Sequence, residues 1–253
     1  MKSIDMNAYT GQWPYWPLRN HQPSDLLRQM DQLEIETAVI SSLKAVFVDC
    51  DGGNAEVAEI CNQYPDRFIP AFTYHPYQST AGQYRENLRS FDRCAVKLFP
   101  AGTQHTYEPT QEPFIAELLE YCAENSIPVI IPHRLMISQR LPAYDIQKII
   151  RLALEHPNTT IILASINYAC EMQNAMDGLR RASNLLVETS GMMGFRELES
   201  FLESFDAERF VHGTAMPLQN PAIGPLRIET AEISLKQKGQ ILKENAERIL
   251  VPC

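Results

Sequence analysis

The sequence is informative first by what it lacks. Its 253 residues contain no apolar run approaching the ~18 residues of a membrane span. There is no polybasic run, no CxxC pair, no zinc-knuckle spacing and no low-complexity tract. The opening Met1-Lys2-Ser3-Ile4-Asp5 is not followed by the apolar stretch of a secretory leader. Six cysteines stand apart at 50, 61, 94, 122, 170 and 253, several in apolar segments, as reduced core thiols do. The expectation is a reducing, cytoplasmic location. Lysine and arginine number 22 against 31 acidic residues, a formal charge of -9 with the basic residues scattered. That balance argues against a phosphate-backbone partner, so neither nucleic acid nor membrane is expected.

What is present is a repeated unit: a short β-branched run, a turn, then an amphipathic helical stretch. Strands are expected at 3–8, 36–42, 68–74, 94–99, 128–131, 160–164, 185–189 and 209–213. Helices are expected between them, at 23–33, 54–64, 82–91, 112–125, 144–155, 170–182 and 195–205, and two close the chain at 226–235 and 240–250. Runs such as Val129-Ile130-Ile131 and Ile161-Ile162-Leu163-Ala164 fit parallel strands buried on both faces. Eight strand–helix units in 253 residues, 45% of them hydrophobic, point to one (β/α)8 TIM-barrel domain over residues 1–253. An open doubly wound sheet is the alternative, weakened because no glycine-rich phosphate loop follows the first strand.

In such barrels chemistry sits at the carboxyl ends of the strands. Those ends read Ile4-Asp5-Met6-Asn7-Ala8-Tyr9, Val96-Lys97-Leu98-Phe99-Pro100, Ile130-Ile131-Pro132-His133-Arg134, Leu163-Ala164-Ser165, Glu188-Thr189-Ser190-Gly191 and His212-Gly213-Thr214-Ala215-Met216-Pro217. By two-residue alternation Asp5, Asn7 and Tyr9 are expected on one face.

These motifs, with Tyr64-Pro65-Asp66-Arg67-Phe68 and the closing Glu244-Asn245-Ala246-Glu247-Arg248-Ile249-Leu250, occur in the order that resembles the amidohydrolase-2 branch of the metal-dependent hydrolases. That family includes decarboxylases of aromatic and related acids. The resemblance covers nearly the whole chain. It implies the barrel fold and a hydrolase or lyase ancestry. The departures fall on the family's metal and catalytic positions. Asn7 and Tyr9 stand for two histidines, Phe99 for the strand-four histidine, Pro132 for a metal-binding histidine, Ser165 for a catalytic histidine and Ala215 for a metal-binding aspartate. A catalytic zinc-type site needs about three His or carboxylate ligands and an open position for water. No metal or other cofactor is therefore expected.

Among the residues that remain, His133 is the acid–base candidate. Lys97 is a candidate nucleophile or carboxylate partner, and Glu188 a candidate site carboxylate. The bland alternatives are a loop or cap role for His133 and mutual pairing of Lys97 with Asp5 or Glu188. Asp5, Asn7, Tyr9, Ser165 and Arg134 are candidate substrate-binding residues, Arg134 because its planar fork suits a carboxylate. His212 is expected to face the helix layer as a satisfied core histidine, and His75 to lie near the mouth. Trp13, Tyr15 and Trp16 form an aromatic loop that either lids a pocket or simply packs. Asp49-Cys50-Asp51-Gly52-Gly53 reads as a turn, since it lacks the glutamate spacing of a calcium loop.

The leading expectation is a catalytically degenerate barrel that binds a small molecule or a partner. The alternative is a metal-independent hydrolase or decarboxylase-like lyase acting on a small carboxylate, ester or lactone. A third reading is a supporting subunit. A homo-oligomer is the default for such barrels, though no sequence feature fixes it.

Overall fold

The computed structural model of the chain describes residues 1–15, 17–80, 82–101, 106–135 and 142–252; Trp16 and Cys253 lie outside them. Eight strands run β1 Ser3–Thr10, β2 Ile35–Ser42, β3 Phe68–Thr73, β4 Ala95–Lys97, β5 Val129–Pro132, β6 Ile161–Ala164, β7 Leu185–Glu188 and β8 Phe210–Val211. They form one sheet in sequential order, with every pair parallel. The sheet closes on itself. Met6 N donates to His212 O at 2.9 Å, Ala215 N to Asn7 O at 2.7 Å and Tyr9 N to Met216 O at 2.7 Å, which joins β8 and the chain beyond it to β1. The molecule is a single (β/α)8 barrel.

Helices fill the crossovers: α1 Pro23–Gln32, α2 Leu43–Phe47, α3 Cys50–Gln63, α4 Gln83–Arg89, α5 Pro113–Glu124, α6 Ile146–Glu155, α7 Ala169–Arg181, α8 Glu197–Leu202 and α9 Ile223–Thr230. The last, α10 Leu235–Gly239, continues through a π-helical turn at Gln240–Glu244 into α11 Asn245–Ile249. Among the described residues no helix is long and apolar enough to cross a membrane. The strands alternate as parallel barrel strands must. Val39, Ile69, Ala71, Ala95, Ile130, Ile162, Leu186 and Val211 pack inside the barrel. Their neighbours Val96, Val129, Ile131, Leu163 and Val187 face outward against α5, α6 and α7 through Leu118, Ile149, Ile150 and Leu179. α6 shows why this works. Ile146, Ile149, Ile150 and Ala153 recur at helical spacing and are buried, and Asp145 caps the helix by accepting from Gln147 N at 2.9 Å.

Local chemistry departs from the sequence expectation at several places. α2 is an unforeseen helix of five residues, capped by Ser42 Oγ, which accepts from Lys44 N and Ala45 N. Residues 49–53, expected as a turn, are the cap and first turn of α3, with Asp49 Oδ1 accepting from Gly52 N at 3.1 Å. Glycine is required at 53, where a Cβ would stand 2.3 Å from Ala45 N and the backbones of α2 and α3 nearly touch. The expected helix at 226–235 divides between α9 and α10. The division follows from a capping box, in which Gln237 N donates to Ser234 Oγ and Ser234 N to Gln237 Oε1.

Candidate functional site

The polar residues at the strand ends converge on Asn7. Its Nδ2 donates to Glu188 Oε2 at 2.8 Å, Ser190 Oγ at 3.2 Å and Ser165 Oγ at 3.4 Å. Its Oδ1 accepts from Lys97 Nζ at 2.6 Å. The lysine ammonium also lies 3.7 Å from the centre of the Tyr9 ring and 6.0 Å from that of Phe99, close enough for cation–π attraction. Glu188 is held further by Ser190, whose backbone N and Oγ both donate to it, the latter at 2.8 Å. Glycine is needed at 213 for the same reason, since a Cβ there would stand 2.2 Å from Glu188 Oε1. Asp5, Asn7, Tyr9, Lys97 and Glu188 are all fully buried.

Burial governs the protonation of this cluster. It lowers the Lys97 amine from its ordinary 10.5 to about 7, although Glu188 and Asp5 pull the other way. It raises the Glu188 carboxyl, against the hydrogen bonds from Ser190 and Asn7. It raises the Tyr9 phenol well above its usual range. The Tyr9 hydroxyl has no hydrogen-bond partner among the described residues.

The cluster is not built as simple alternation predicts. The pairing of β1 with β2 is irregular between Asp5 and Ala8, which sit opposite Ala38 and Ile40. Three steps on one strand match two on the other, as at a β-bulge. Met6 therefore packs with the interior residues, while Asn7 and Tyr9 reach Lys97. Asp5 is diverted toward β8. Its carboxylate accepts from Thr214 Oγ1, from Thr214 N at 3.0 Å and from Asn7 N at 2.9 Å. The expectation that Asp5, Asn7 and Tyr9 share one face is thus corrected.

His133 and Arg134 belong to a different arrangement. His133 Nδ1 donates to Tyr144 O at 2.5 Å, which leaves Nε2 to accept from Arg134 Nη2 at 2.9 Å. Arg134 is ion-paired with Glu171 and rests 5.0 Å from the Tyr168 ring centre. Glu171 in turn accepts from Asn167 N and Tyr168 N at the start of α7. None of these contacts reaches Lys97, Asn7 or Glu188. The structure therefore brings Lys97 and Glu188 together through Asn7, and places His133 where it ties the loop after β5 to α7. His75 lies between Tyr77 and Tyr107, with ring centres 5.5 and 4.9 Å away.

His212 faces the helix layer, 2.8 Å from where a Cβ on Gly224 would stand. It is not the satisfied histidine expected, because neither ring nitrogen has a hydrogen-bond partner among the described residues. Burial lowers it from 6.5 to about 4, so the ring is neutral. The sequence reading missed Ser190 and Thr214, the two hydroxyls that hold the buried carboxylates. Both follow strand ends inside quoted motifs, and that position was the available signal.

Above the polar cluster the mouth is apolar. Tyr9, Trp13, Leu43, Phe99, Leu135, Ala215 and Leu218 pack as one group. Tyr9 and Phe99 ring centres are 6.5 Å apart, and Trp13 meets Phe47 edge-on at 5.4 Å. Met216 instead packs outward with Ala8, Leu26 and Met30. Two residues here hold left-handed backbone, Ser165 with φ 60° and Ala215 with φ 54°. Both stand at positions where the resembled family carries functional side chains. Among the described residues no group of three or more His, Cys, Asp or Glu is placed to hold a metal ion.

Residues 4–250 match the family described as Amidohydrolase. No curated protein matches the chain. Solved structures do, at low identity. A 2,6-dihydroxybenzoate decarboxylase from Rhizobium is 17% identical, with 98% of each chain covered and a TM-score of 0.73. The 5-carboxyvanillate decarboxylase from Sphingomonas paucimobilis is 17% identical, with 98% of each chain covered and a TM-score of 0.71. A dihydroxybenzoic acid decarboxylase from Polaromonas sp. JS666, solved with bound manganese and 2-nitroresorcinol, is 15% identical. It aligns over 98% of this chain and 96% of its own, with a TM-score of 0.74.

Proposed function

The chain belongs to the amidohydrolase family, and we propose that within it this barrel is a metal-independent member that binds a small molecule or partner without metal-activated hydrolysis. The observation that carries this reading is the position of Lys97. Its ammonium stands 2.6 Å from Asn7 Oδ1, so the side-chain oxygen best placed to meet a cation at the strand ends already has one. A divalent ion there would compete with the Lys97 nitrogen for that oxygen and, whenever the amine is protonated, would face its charge in a medium that screens it poorly. The other donors that converge are an amide, two serine hydroxyls and one carboxylate. That set does not fit a catalytic zinc-type or manganese site, which asks for His and carboxylate ligands. The packed mouth, where Tyr9 and Phe99 lie together, shields the Lys97 cluster and counts against a ligand held at the strand ends themselves.

A decarboxylase-like lyase without metal is the second reading. Lys97, buried and held near 7, is the observation that favours it, because a desolvated amine of that kind is a nucleophile or a carboxylate partner at neutral pH. The neighbouring folds include decarboxylases.

Metal analysis separates these from the family's usual chemistry. The protein is purified without chelator and dialysed against zinc or manganese. Less than about a tenth of an equivalent is the expected result. A stoichiometric, tightly held metal would overturn the proposal. Release of CO2 from small aromatic or oxo acids, abolished by Lys97→Met, would select the lyase reading.

A further inference from the structure

We infer that Asn7 and Lys97 are the two reactants of an intramolecular isopeptide bond, formed by the folded chain itself and joining β1 to the end of β4. The inference goes beyond the reading above, which concerns what the barrel binds. Lys97 meets an amide where lysines such as Lys44, Lys148 and Lys243 meet carboxylates. Those three reach Glu56, Glu108 and Glu36 near the surface, and each is held in its charged form by that partner. Lys97 Nζ reaches Asn7 Oδ1 at 2.6 Å, with both residues at 0% exposure.

The two ends of the Asn7 amide are sorted by their partners. Its oxygen faces the Lys97 nitrogen. Its nitrogen faces Glu188 Oε2 at 2.8 Å, with Ser190 Oγ at 3.2 Å and Ser165 Oγ at 3.4 Å. A flipped amide would set Nδ2 against the lysine donor, so the orientation is fixed. The nucleophile therefore touches the carbonyl it would attack, and a carboxyl stands at the nitrogen that would leave. Groups held this way react with a large advantage over the same groups free in solution.

The surroundings supply the protonation states. Burial lowers the Lys97 amine to about 7, so at pH 8 roughly nine-tenths of it is unprotonated and nucleophilic. Burial also raises the Glu188 carboxyl, which gives it a proton to pass on. Asp5, the other interior carboxylate, is engaged by Thr214 and by the Asn7 backbone. The Lys97 nitrogen attacks Asn7 Cγ and a new C–N bond forms. The Cγ–Nδ2 bond breaks, and its electron pair leaves with Nδ2. Glu188 gives its proton to the departing nitrogen and takes the one that the attacking nitrogen loses. One ammonia is released, and no oxidant or other reactant is consumed. Water is the competitor, since it would turn the amide into a carboxylate. The packing of Tyr9 and Phe99 beside the cluster disfavours it. Only chain that has kept its full mass retains a titratable Lys97 amine, and the bond would end any role of that amine as a nucleophile toward a ligand.

The test is intact-mass spectrometry of the full chain, freshly purified and again after a week at pH 8, followed by tryptic mapping. A species lighter by one ammonia is expected, with a share that grows over the week. In its digest the peptide carrying Asn7 is joined to the peptide carrying Lys97, and cleavage after Lys97 is lost. Lys97→Met and Glu188→Gln should both keep their full mass, with circular dichroism showing that each is folded. The wild-type map decides the matter alone should either variant fail to fold. Folded wild type that stays at full mass would overturn the inference, as would conversion of Asn7 to aspartate or an ammonia loss mapped to another residue. Equal cross-linking in folded Glu188→Gln would overturn the role of Glu188 in moving the proton.

Discussion

Replacing Lys97 with methionine removes the charge from the barrel interior while nearly keeping the volume. The consequence is best read in the pH dependence of stability. The folded amine sits near 7 and the unfolded one near 10.5. Below pH 7 both states carry the proton, and the folded state bears the full penalty of a buried ammonium. Between 7 and 10.5 the unfolded state binds more protons than the folded one, so stability rises with pH. Above 10.5 both are neutral and the penalty is gone. The slope expected from one proton is about 1.4 kcal/mol per pH unit, and the full span is on the order of 4–5 kcal/mol. Urea unfolding at half-unit steps from pH 7 to 10 measures it. Surface groups that titrate in this window contribute equally to both proteins. The difference between wild type and Lys97→Met therefore isolates the buried amine. Wild type gains stability relative to the variant as pH rises. Parallel curves would show that Lys97 is not desolvated as the structure has it, and the reading of Lys97 as a nucleophile at neutral pH would fall with that result.

Two further substitutions probe the same end of the barrel. His212 has a folded value near 4 against 6.5 unfolded, so its contribution is lost as pH falls from 6.5 toward 4. His212→Leu, which also removes two unpartnered ring nitrogens, should flatten the acid limb of stability by up to roughly 3 kcal/mol in thermal unfolding between pH 4 and 7. Ala215 holds φ 54°, where an L side chain is strained by about 1 kcal/mol. Ala215→Gly should raise or leave unchanged the urea midpoint, despite glycine's entropy and the lost methyl contact; a loss beyond about 2 kcal/mol would mean that the methyl's packing outweighs the strain.

The fold was largely legible in the sequence because its elements differ in period and are punctuated by turn chemistry. The buried runs of β5 and β6 and the helical spacing in α6 are examples. What escaped was set by backbone geometry that no pattern of residue types reports. The irregular pairing of β1 between Asp5 and Ala8 cannot be read from Ile4-Asp5-Met6-Asn7-Ala8-Tyr9, yet it decides that Asn7 meets Lys97 and that Asp5 meets Thr214. The site was legible in its centre and not at its edge. Lys97 was expected to pair with Asp5 or Glu188, and the structure instead joins Lys97 to Glu188 through Asn7. His133 was singled out for its chemistry, but its position depends on Tyr144 and Glu171, residues 11 and 38 positions further along the chain. Only the folded chain shows that its two nitrogens are already engaged.

The substitutions at the strand ends are consistent with one another as a matter of charge. A divalent ion at a barrel mouth offsets the carboxylates that bind it, and the Lys97 nitrogen, hydrogen-bonded to Asn7 Oδ1, competes for the same oxygen. Here the interior retains two buried carboxylates and one buried amine. Asp5 is met by three N–H or O–H donors from Asn7 and Thr214. Glu188 is met by Asn7 and Ser190, with its carboxyl raised toward the neutral form. A third carboxylate at 215 would have no such donors, because that side chain lies among Tyr9, Trp13 and Phe99. The result is a barrel interior in which Asp5, Asn7, Lys97 and Glu188 are held by hydrogen bonds while the Tyr9 hydroxyl has no partner among the described residues, capped by an apolar mouth.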